Sequence, residues 1–438
     1  MTQKEALDIL KLGYNVYLTG QAGSGKTFLL NKYISYLKKN KVKVAVTAST
    51  GIAATHMNGV TIHSWSGLGI KEKLTDSNIR NLLKRSYLQK RFRTTNIIII
   101  DEISMLHSFQ FDLINNICQA FKKNSAPFGS MQIICSGDFF QLPPVQKGGS
   151  DGVKFAIESK VWRNMDMKVC HLQEQHRHVD PRLSKILFDI RNNKIRDKSF
   201  QLLSGRENKE LSSVIKPTKL YTHNVDVDAI NHLQLDKIKE KEFVYDMHLR
   251  GEPKLVELLK RSCLAPEELT LKKGAKVMFL KNNVDRGYVN GTLGKVVGFD
   301  NNKYPIVKTF SGKKIIATPA SWTIEEDDAV KAEISQIPLR LAWAITVHKS
   351  QGMTLDAAEI DLSKAFERGM GYVALSRVKT LDSLKLMGFN ETALEVNPKV
   401  IDLEKDLLRQ SEKTQQYIKT LGTLMKKSLQ KNFIKKCC

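Results

Sequence analysis

An α/β fold organised around a parallel sheet that binds phosphate is predicted by three features of this 438-residue sequence. A β-prone run, Val16 to Leu18, enters Gly20-Gln-Ala-Gly23-Ser24-Gly25-Lys26-Thr27, and a helical pattern follows with Leu29, Leu30, Tyr33, Ile34 and Leu37. Four successive isoleucines, 97–100, make a strand apolar on both faces, as in the centre of a parallel sheet, and end in Asp101-Glu102. Lysine and arginine exceed aspartate and glutamate by 69 to 45, a net +24 that favours a polyanionic partner.

The first feature is G-x-x-x-x-G-K-[ST] with a strand before it and a helix after it. Glycines let backbone N–H groups converge on phosphate oxygens, and the helix N-terminus adds partial positive charge. Gly20, Ala22, Gly23, Ser24, Gly25, Lys26 and Thr27 are therefore the candidate nucleotide cradle. Lys26 reaches the β- and γ-phosphates, and Thr27 offers its hydroxyl to Mg²⁺. The acidic pair lies at the carboxyl end of its strand, where open α/β sheets bind ligands. Asp101 takes the Mg²⁺ side and Glu102 is the candidate base for an attacking water. The plainer alternative is a strand ending in a solvated acidic turn.

Met131 to Cys135 is another strand, breaking into "GDFFQLPPV". Gln141 offers an amide to a γ-phosphate or water; alternatively this is a proline-bounded turn with Phe139 and Phe140 in the core. Val42 to Val46 is a third strand, followed by small hydroxyl residues and glycines. Thr50, Gly51 and Ser64 suit backbone-phosphate contacts, and His63 and Trp65 could stack on bases. Capping chemistry, with Trp65 in the core, is the competing reading.

The remaining composition sets bounds. A chain this long exceeds one ordinary core, so two or three domains are expected. No run of about eighteen apolar residues exists to span a membrane. "MTQKEALDIL" shows no apolar region of a secretory signal. The six cysteines lack zinc-site spacing, and Cys118 and Cys135 read as buried thiols in a reducing compartment. His171, His176 and His178 lack a carboxylate or cysteine to complete a metal set.

Taken in order, "TGQAGSGKT", "TASTGIAA", "TIHSWSG", "IIIIDEISML", "GDFFQLPPV", "LQEQHRHVDPRLSKILFDIR", "PTKLYTHNVDVDAIN", "LKKGAKVMFLKNN", "VNGTLGKVVGF", "ITVHKSQGMTLD" and "GYVALSRVKTLDSL" resemble the PIF (petite integration frequency) family of DNA helicases. The resemblance covers roughly residues 3–390 and points to the 5′→3′ branch of superfamily one. It implies two RecA-like domains with parallel sheets and ATP between them. The first spans 1–160, with a small wedge insertion at about 71–95; the second comprises 161–240 and 336–400. In the wedge position, lysines and arginines with Tyr87 and Phe92 interleaved suit strand separation, against the alternative of a solvated helix pair. Residues 241–335 alternate short β-like runs with Gly/Asn-rich breaks, which reads as a small antiparallel barrel; the family places a Src-homology-3-like barrel there.

Hydrolysis in an interdomain cleft needs a cation to meet charge developing on the γ-phosphoryl group. Arg177 and Arg377 match the family's arginine positions. Gln3 is the counterpart of the glutamine that reads adenine. By the same resemblance Thr222, His223 and Asn224 contact DNA. In "ITVHKSQGMTLD", Thr346, His348, Lys349 and Ser350 face nucleic-acid phosphates, while Gln351 and Gly352 open a following helix beside ATP. The implied cofactors are ATP and Mg²⁺. The implied partners are single-stranded, forked or structured DNA, met by a monomer that can assemble on DNA in the cytoplasm. The family's roles lie in DNA repair, recombination and telomere maintenance. Two alternatives stay open: an ATP switch that binds nucleic acid without unwinding, and an RNA-directed helicase.

After Glu412 the chain carries seven lysines and no acid. Tyr417, Ile418, Leu421, Leu424, Met425 and Leu429 predict one basic amphipathic helix within a 401–438 tail.

Overall fold

A computed structural model describes residues 1–438 except 58, 70, 145–153, 212–216, 264, 282, 284, 289–291, 311, 327–328 and 438. Two parallel sheets carry the architecture. The first contains β1 (Val16–Gly20), β2 (Val44–Ala48), β3 (Val60–Thr61), β4 (Ile97–Asp101), β5 (Gln132–Ser136) and β6 (Lys168–Leu172), in the order β3-β2-β4-β5-β1-β6. Every pairing in it is parallel. β1, β4 and β5 are buried along their whole length, which explains unbroken apolar runs where a half-exposed strand would alternate. The isoleucines of β4 divide between two layers. Ile97 and Ile99 join α1 (Gln3–Lys11) and α2 (Lys26–Lys39) on one face, and Ile98 and Ile100 join the helix Ser108–Lys122 on the other.

The second parallel sheet is built from β7 (Thr218–Tyr221), β8 (Ala344–Thr346), β9 (Ala358–Leu362) and β10 (Leu384–Phe389), in the order β8-β7-β9-β10. Between β7 and β8 the chain makes antiparallel sheets. Five strands, at 276–279, 293–299, 305–309, 314–316 and 339–341, enclose Val277, Phe279, Val296, Val307, Ile315 and Leu339. A three-stranded sheet and a two-stranded pair flank them. No helix among the described residues is long and apolar enough to cross a membrane.

Four expectations are corrected here. β6 pairs with β1 along all five of its residues, so 168–172 complete the first sheet and the 160/161 boundary falls too early. Leu339–Leu341 pairs with Lys276–Phe279, which carries the antiparallel insertion past 335. The apolar run "LRLAWAIT" is thus two short strands in different sheets.

The third concerns α3 (Asp76–Leu83) and α4 (Ser86–Thr94), which form a helix pair in the wedge position. Leu82, Leu88 and Phe92 are buried beneath it, and Phe92 stacks on Phe121 with centroids 4.3 Å apart. Phe92 is therefore a core residue rather than a strand-separating one; Arg80, Lys84, Lys90 and Arg93 make the exposed face.

The fourth concerns the tail, which is two helices, α5 (Pro398–Thr420) and α6 (Thr423–Cys437), separated at Leu421-Gly422. Ile418 is buried against Ala6 and Ile9, and Tyr417 and Tyr14 share a hydroxyl hydrogen bond of 2.6 Å. Leu424 and Met425 instead are 85% and 55% exposed. α5 therefore packs against the first sheet through its apolar stripe, and α6 rejoins it through Phe433, Ile434 and Cys437.

Candidate nucleotide and nucleic-acid site

The loop after β1 turns on Gly23 and Gly25, both at positive φ (88° and 85°). Gly25 is also the N-cap of α2, so the helix starts with its N–H groups facing the turn. Both glycines are required sterically as well. A Cβ on Gly23 would lie 2.5 Å from the Arg177 Cβ, and one on Gly25 would lie 2.3 Å from the Gln3 Nε2.

Around this loop lies a cavity of about 570 Å³. Ala22, Gly23, Gly25, Lys26, Thr27, Asp101, Glu102, Gln141, Arg177, Gln351, Gly352 and Arg377 all line it. Residues separated by up to 355 positions therefore converge on one cleft between the two parallel sheets. Gly20 and Ser24 complete the cradle: the Gly20 carbonyl accepts from Lys26 Nζ at 2.7 Å, and Ser24 is buried. The Gln21 carbonyl accepts from the same ammonium at 3.1 Å. Burial lowers the Lys26 pKa, and Asp138, Glu102 and Asp101 oppose that shift.

Glu102 has a left-handed backbone (φ 51°) and lines the cavity. Its pKa is raised to about 7, first by burial and then by Asp101; Lys26 and Gln351 counter the rise. Burial raises Asp101 as well. Buried Asp101, half-buried Glu102 and Thr27 line the same cavity, an all-oxygen donor set of the kind that suits Mg²⁺. Among the described residues, buried Gln141 Oε1 and Gln351 Oε1 find no hydrogen-bond partner.

Gln351 reaches across the cleft and donates to Glu102 Oε2 at 2.9 Å. The expected helix after it does not form. Residues 348–350 make one 3₁₀ turn, Gly352 takes φ 80°, and the chain then enters β9. Arg177 follows β6 and so leaves the edge of the first sheet; its guanidinium donates to the Ser376 carbonyl at 3.2 Å. Arg377 is buried and donates to the carbonyls of Val373, Ser350 and Met353. Burial and then Arg177 lower its pKa, against Glu102, Tyr372 and Asp138. Gln3 lies at the start of α1, with its amide 3.4 Å from the Ser24 carbonyl and 3.0 Å from His176 Nε2. Among the described residues, no group of three or more His, Cys, Asp or Glu residues is placed to hold a metal ion.

The expected DNA contacts divide. His223 and Ser64 are exposed, and the His223 and His348 rings flank Phe366, itself an exposed aromatic residue. His63 and Lys349 are partly buried, and burial lowers the pKa of each. Thr50 and His348 line the same cavity as Lys26, Asp101 and Glu102. Thr50 also caps the helix that Gly51 begins, accepting from the Ala53 N–H. Asn224 opens the helix after β7, but its side chain lies outside the described residues.

Four others are corrected. Trp65 is 5% exposed and meets Phe92 edge-on at 4.7 Å, so its ring packs in the core. Thr222 is buried and pairs with His223 Nδ1 at 2.8 Å. Thr346 is buried and caps the Lys349 N–H. Ser350 is buried and donates to the Val347 carbonyl. The Thr346 and Ser350 hydroxyls satisfy their own backbone, as short polar side chains do at turns.

Sequence reasoning also missed a buried charged network beside the cleft. Arg191 donates to both oxygens of Asp138 (3.0 and 2.8 Å), to the Tyr372 hydroxyl (3.0 Å) and to Glu404 (2.7 Å). His171 Nε2 meets Glu404 at 3.0 Å. The one available signal was an aspartate inside the apolar "CSGDFF", which demands a partner once buried.

The chain matches the family model described as PIF1-like helicase over residues 2–199, and that of the DNA helicase Pif1 2B domain over 254–299. It is 45% identical to an ATP-dependent DNA helicase Pif1 of Psychrobacter, across 91% of this chain and 69% of the relative. It spans 61–64% of the vertebrate relatives' length. The crystal structure of Pif1 helicase from Candida albicans superposes with a TM-score of 0.82 at 35% identity, covering 92% of this chain and 98% of that one. A Bacteroides Pif1 in complex with ADP-AlF3 and ssDNA gives 0.68 at 30% identity, covering 93% and 96%. With 45% identity across more than two thirds of that Psychrobacter relative, this chain belongs to the PIF1-like helicase family.

Proposed function

We propose that this chain is an ATP-driven DNA helicase that moves 5′→3′ along single-stranded DNA and separates duplex or structured DNA ahead of it. The carrying observation is the convergence of Lys26, Glu102, Gln351 and Arg377, from two different sheets, on one cavity. ATP binds with its phosphates on residues 20–27 and its base toward Gln3. Thr27 and Asp101 would hold Mg²⁺, which would neutralise phosphate charge. Glu102 accepts the proton of the attacking water; Gln141 orients that water, and Arg177 and Arg377 meet charge on the γ-phosphoryl group.

The strand lies along residues 50–51, 63–64, 223–224 and 348–349, held by phosphate contacts and stacking without a base code. The turn 348–352 has His348 against Phe366 and Gln351 against Glu102. One short segment thus touches both ligands, and this couples hydrolysis to movement. The Bacteroides relative's complex with ADP-AlF3 and ssDNA supports both ligand classes. Residues 1–172 form the first RecA-like unit, the second sheet forms the other, and the chain acts as a monomer in the cytoplasm.

The test is ATP hydrolysis with and without single-stranded DNA, for the chain and for Lys26→Ala. Strong stimulation by DNA, abolished by the substitution, is expected. Stimulation by RNA and not by DNA would replace this reading with an RNA-directed one.

A further inference from the structure

We infer that Tyr372 is a positioning residue for ATP hydrolysis: its hydroxyl ties the helix that carries Arg377 to the phosphate loop. The inference rests on the helicase reading above. Tyr372 lies on the short helix Met370–Leu375, which leads directly into Ser376 and Arg377. Its hydroxyl accepts from the Ala22 N–H of the phosphate loop at 3.2 Å. It also accepts from Arg191 at 3.0 Å and donates to Asp138 Oδ2 at 3.1 Å. One buried oxygen is therefore saturated by three partners from three separate segments.

Each of those segments is itself fixed. Asp138 precedes Gln141 in the loop after β5, and Phe140 of that loop stacks on Arg191, whose guanidinium carbon lies 3.8 Å from the ring centroid. Arg191 ends a helix that begins with an Asp180 cap and Pro181 at its first turn. Its far side is held by Glu404 of α5.

The helix has no room to slide. A Cβ on Gly369 would lie 2.9 Å from the Phe140 carbonyl, and one on Gly371 would lie 1.8 Å from the Ala393 carbonyl. Arg377 in turn is locked to the same helix, with Nε donating to the Val373 carbonyl at 2.8 Å and Nη2 to Ser376 Oγ at 2.7 Å. The Tyr372 hydroxyl thus sets the distance between the phosphate loop and the arginine opposite it. Such an error of placement affects the transition state more than ground-state binding.

The experiment is Tyr372→Phe, which keeps the ring and deletes one oxygen, assayed by DNA-stimulated ATPase kinetics and thermal unfolding. The expected result is a fall in kcat of about three- to tenfold, with KM for ATP changed less than about twofold and the variant fully folded at the assay temperature although it melts lower than the unsubstituted chain. Unchanged kcat, a change confined to KM, or a loss of kcat matched by a loss of folded protein would overturn the inference. Asp138→Asn, which keeps the shape but weakens the hold on both Arg191 and Tyr372, should lower kcat in the same direction; full activity in that variant would also count against it. If the unsubstituted chain hydrolyses no ATP, the helicase reading itself fails, and the inference with it.

Discussion

Gln351 Nε2 lies 2.9 Å from Glu102 Oε2, joining the turn after β8 to the acidic pair at the end of β4. The bond spans the cleft between the two parallel sheets. It makes the general-base candidate sensitive to where the second sheet stands.

Removing that amide should therefore cost turnover. Gln351→Ala removes the amide that donates to Glu102 Oε2, and a hydrogen bond to a charged group is worth about 1.5–3 kcal/mol. DNA-stimulated kcat is expected to fall roughly tenfold or more. Steady-state ATPase assays check this; activity within twofold of the parent would detach Gln351 from the chemistry.

The pH dependence follows from Glu102. With its pKa raised to about 7 by burial and Asp101, the base becomes available only as pH rises through neutrality. The ascending limb of ATPase activity should lie near pH 7, not near the ordinary carboxylate value. The linked stability effect has a fixed sign. A carboxyl whose folded pKa is raised loses stability as pH climbs from its unfolded value to its folded one. Glu102→Gln should consequently raise the melting temperature at pH 8 and leave it nearly unchanged below pH 4.5. A destabilised Glu102→Gln at pH 8 would refute this.

Trp65 separates packing from binding. Trp65→Ala should destabilise the chain by about 3–5 kcal/mol, because it empties a site against Phe92. Trp65→Phe keeps much of the packing, so its affinity for single-stranded DNA should match the parent's in fluorescence anisotropy titrations. A selective loss of DNA affinity in the phenylalanine variant would return Trp65 to the nucleic-acid interface.

His348 and Lys349 should do the opposite. Alanine at either position is expected to weaken DNA-stimulated hydrolysis more than basal hydrolysis, since both lie on the turn that ends at Gln351. Equal losses of both rates would remove the turn from coupling.

Much of the local geometry of the candidate nucleotide site was legible in the sequence. Residues 20–27 need their glycines for positive φ and their lysine for phosphate, and that pattern survives in one dimension. Asp101 and Glu102 were legible because four isoleucines mark a central strand and so its carboxyl end. The polar contacts were harder. Trp65, Thr346 and Ser350 carry groups that suit DNA, yet the fold turns the ring into the core and each hydroxyl onto its own backbone. Nothing in residue type separates these outcomes; neighbours distant in sequence decide them. The Asp138–Arg191–Tyr372 network was illegible for the same reason, since its members lie 53 and 181 positions apart. Residues 168–172 fell on the wrong side of the expected 160/161 boundary, because sheet membership depends on pairing with β1.

The most direct measurement of the central claim is strand displacement on duplexes with a single-stranded tail at either the 5′ or the 3′ end. The account predicts ATP-dependent separation of the 5′-tailed duplex, little of the 3′-tailed one, and none of either by Lys26→Ala. Equal separation of both would contradict the polarity, and ATP hydrolysis without separation of either, even at protein excess, would make the chain a nucleic-acid-bound switch rather than a motor.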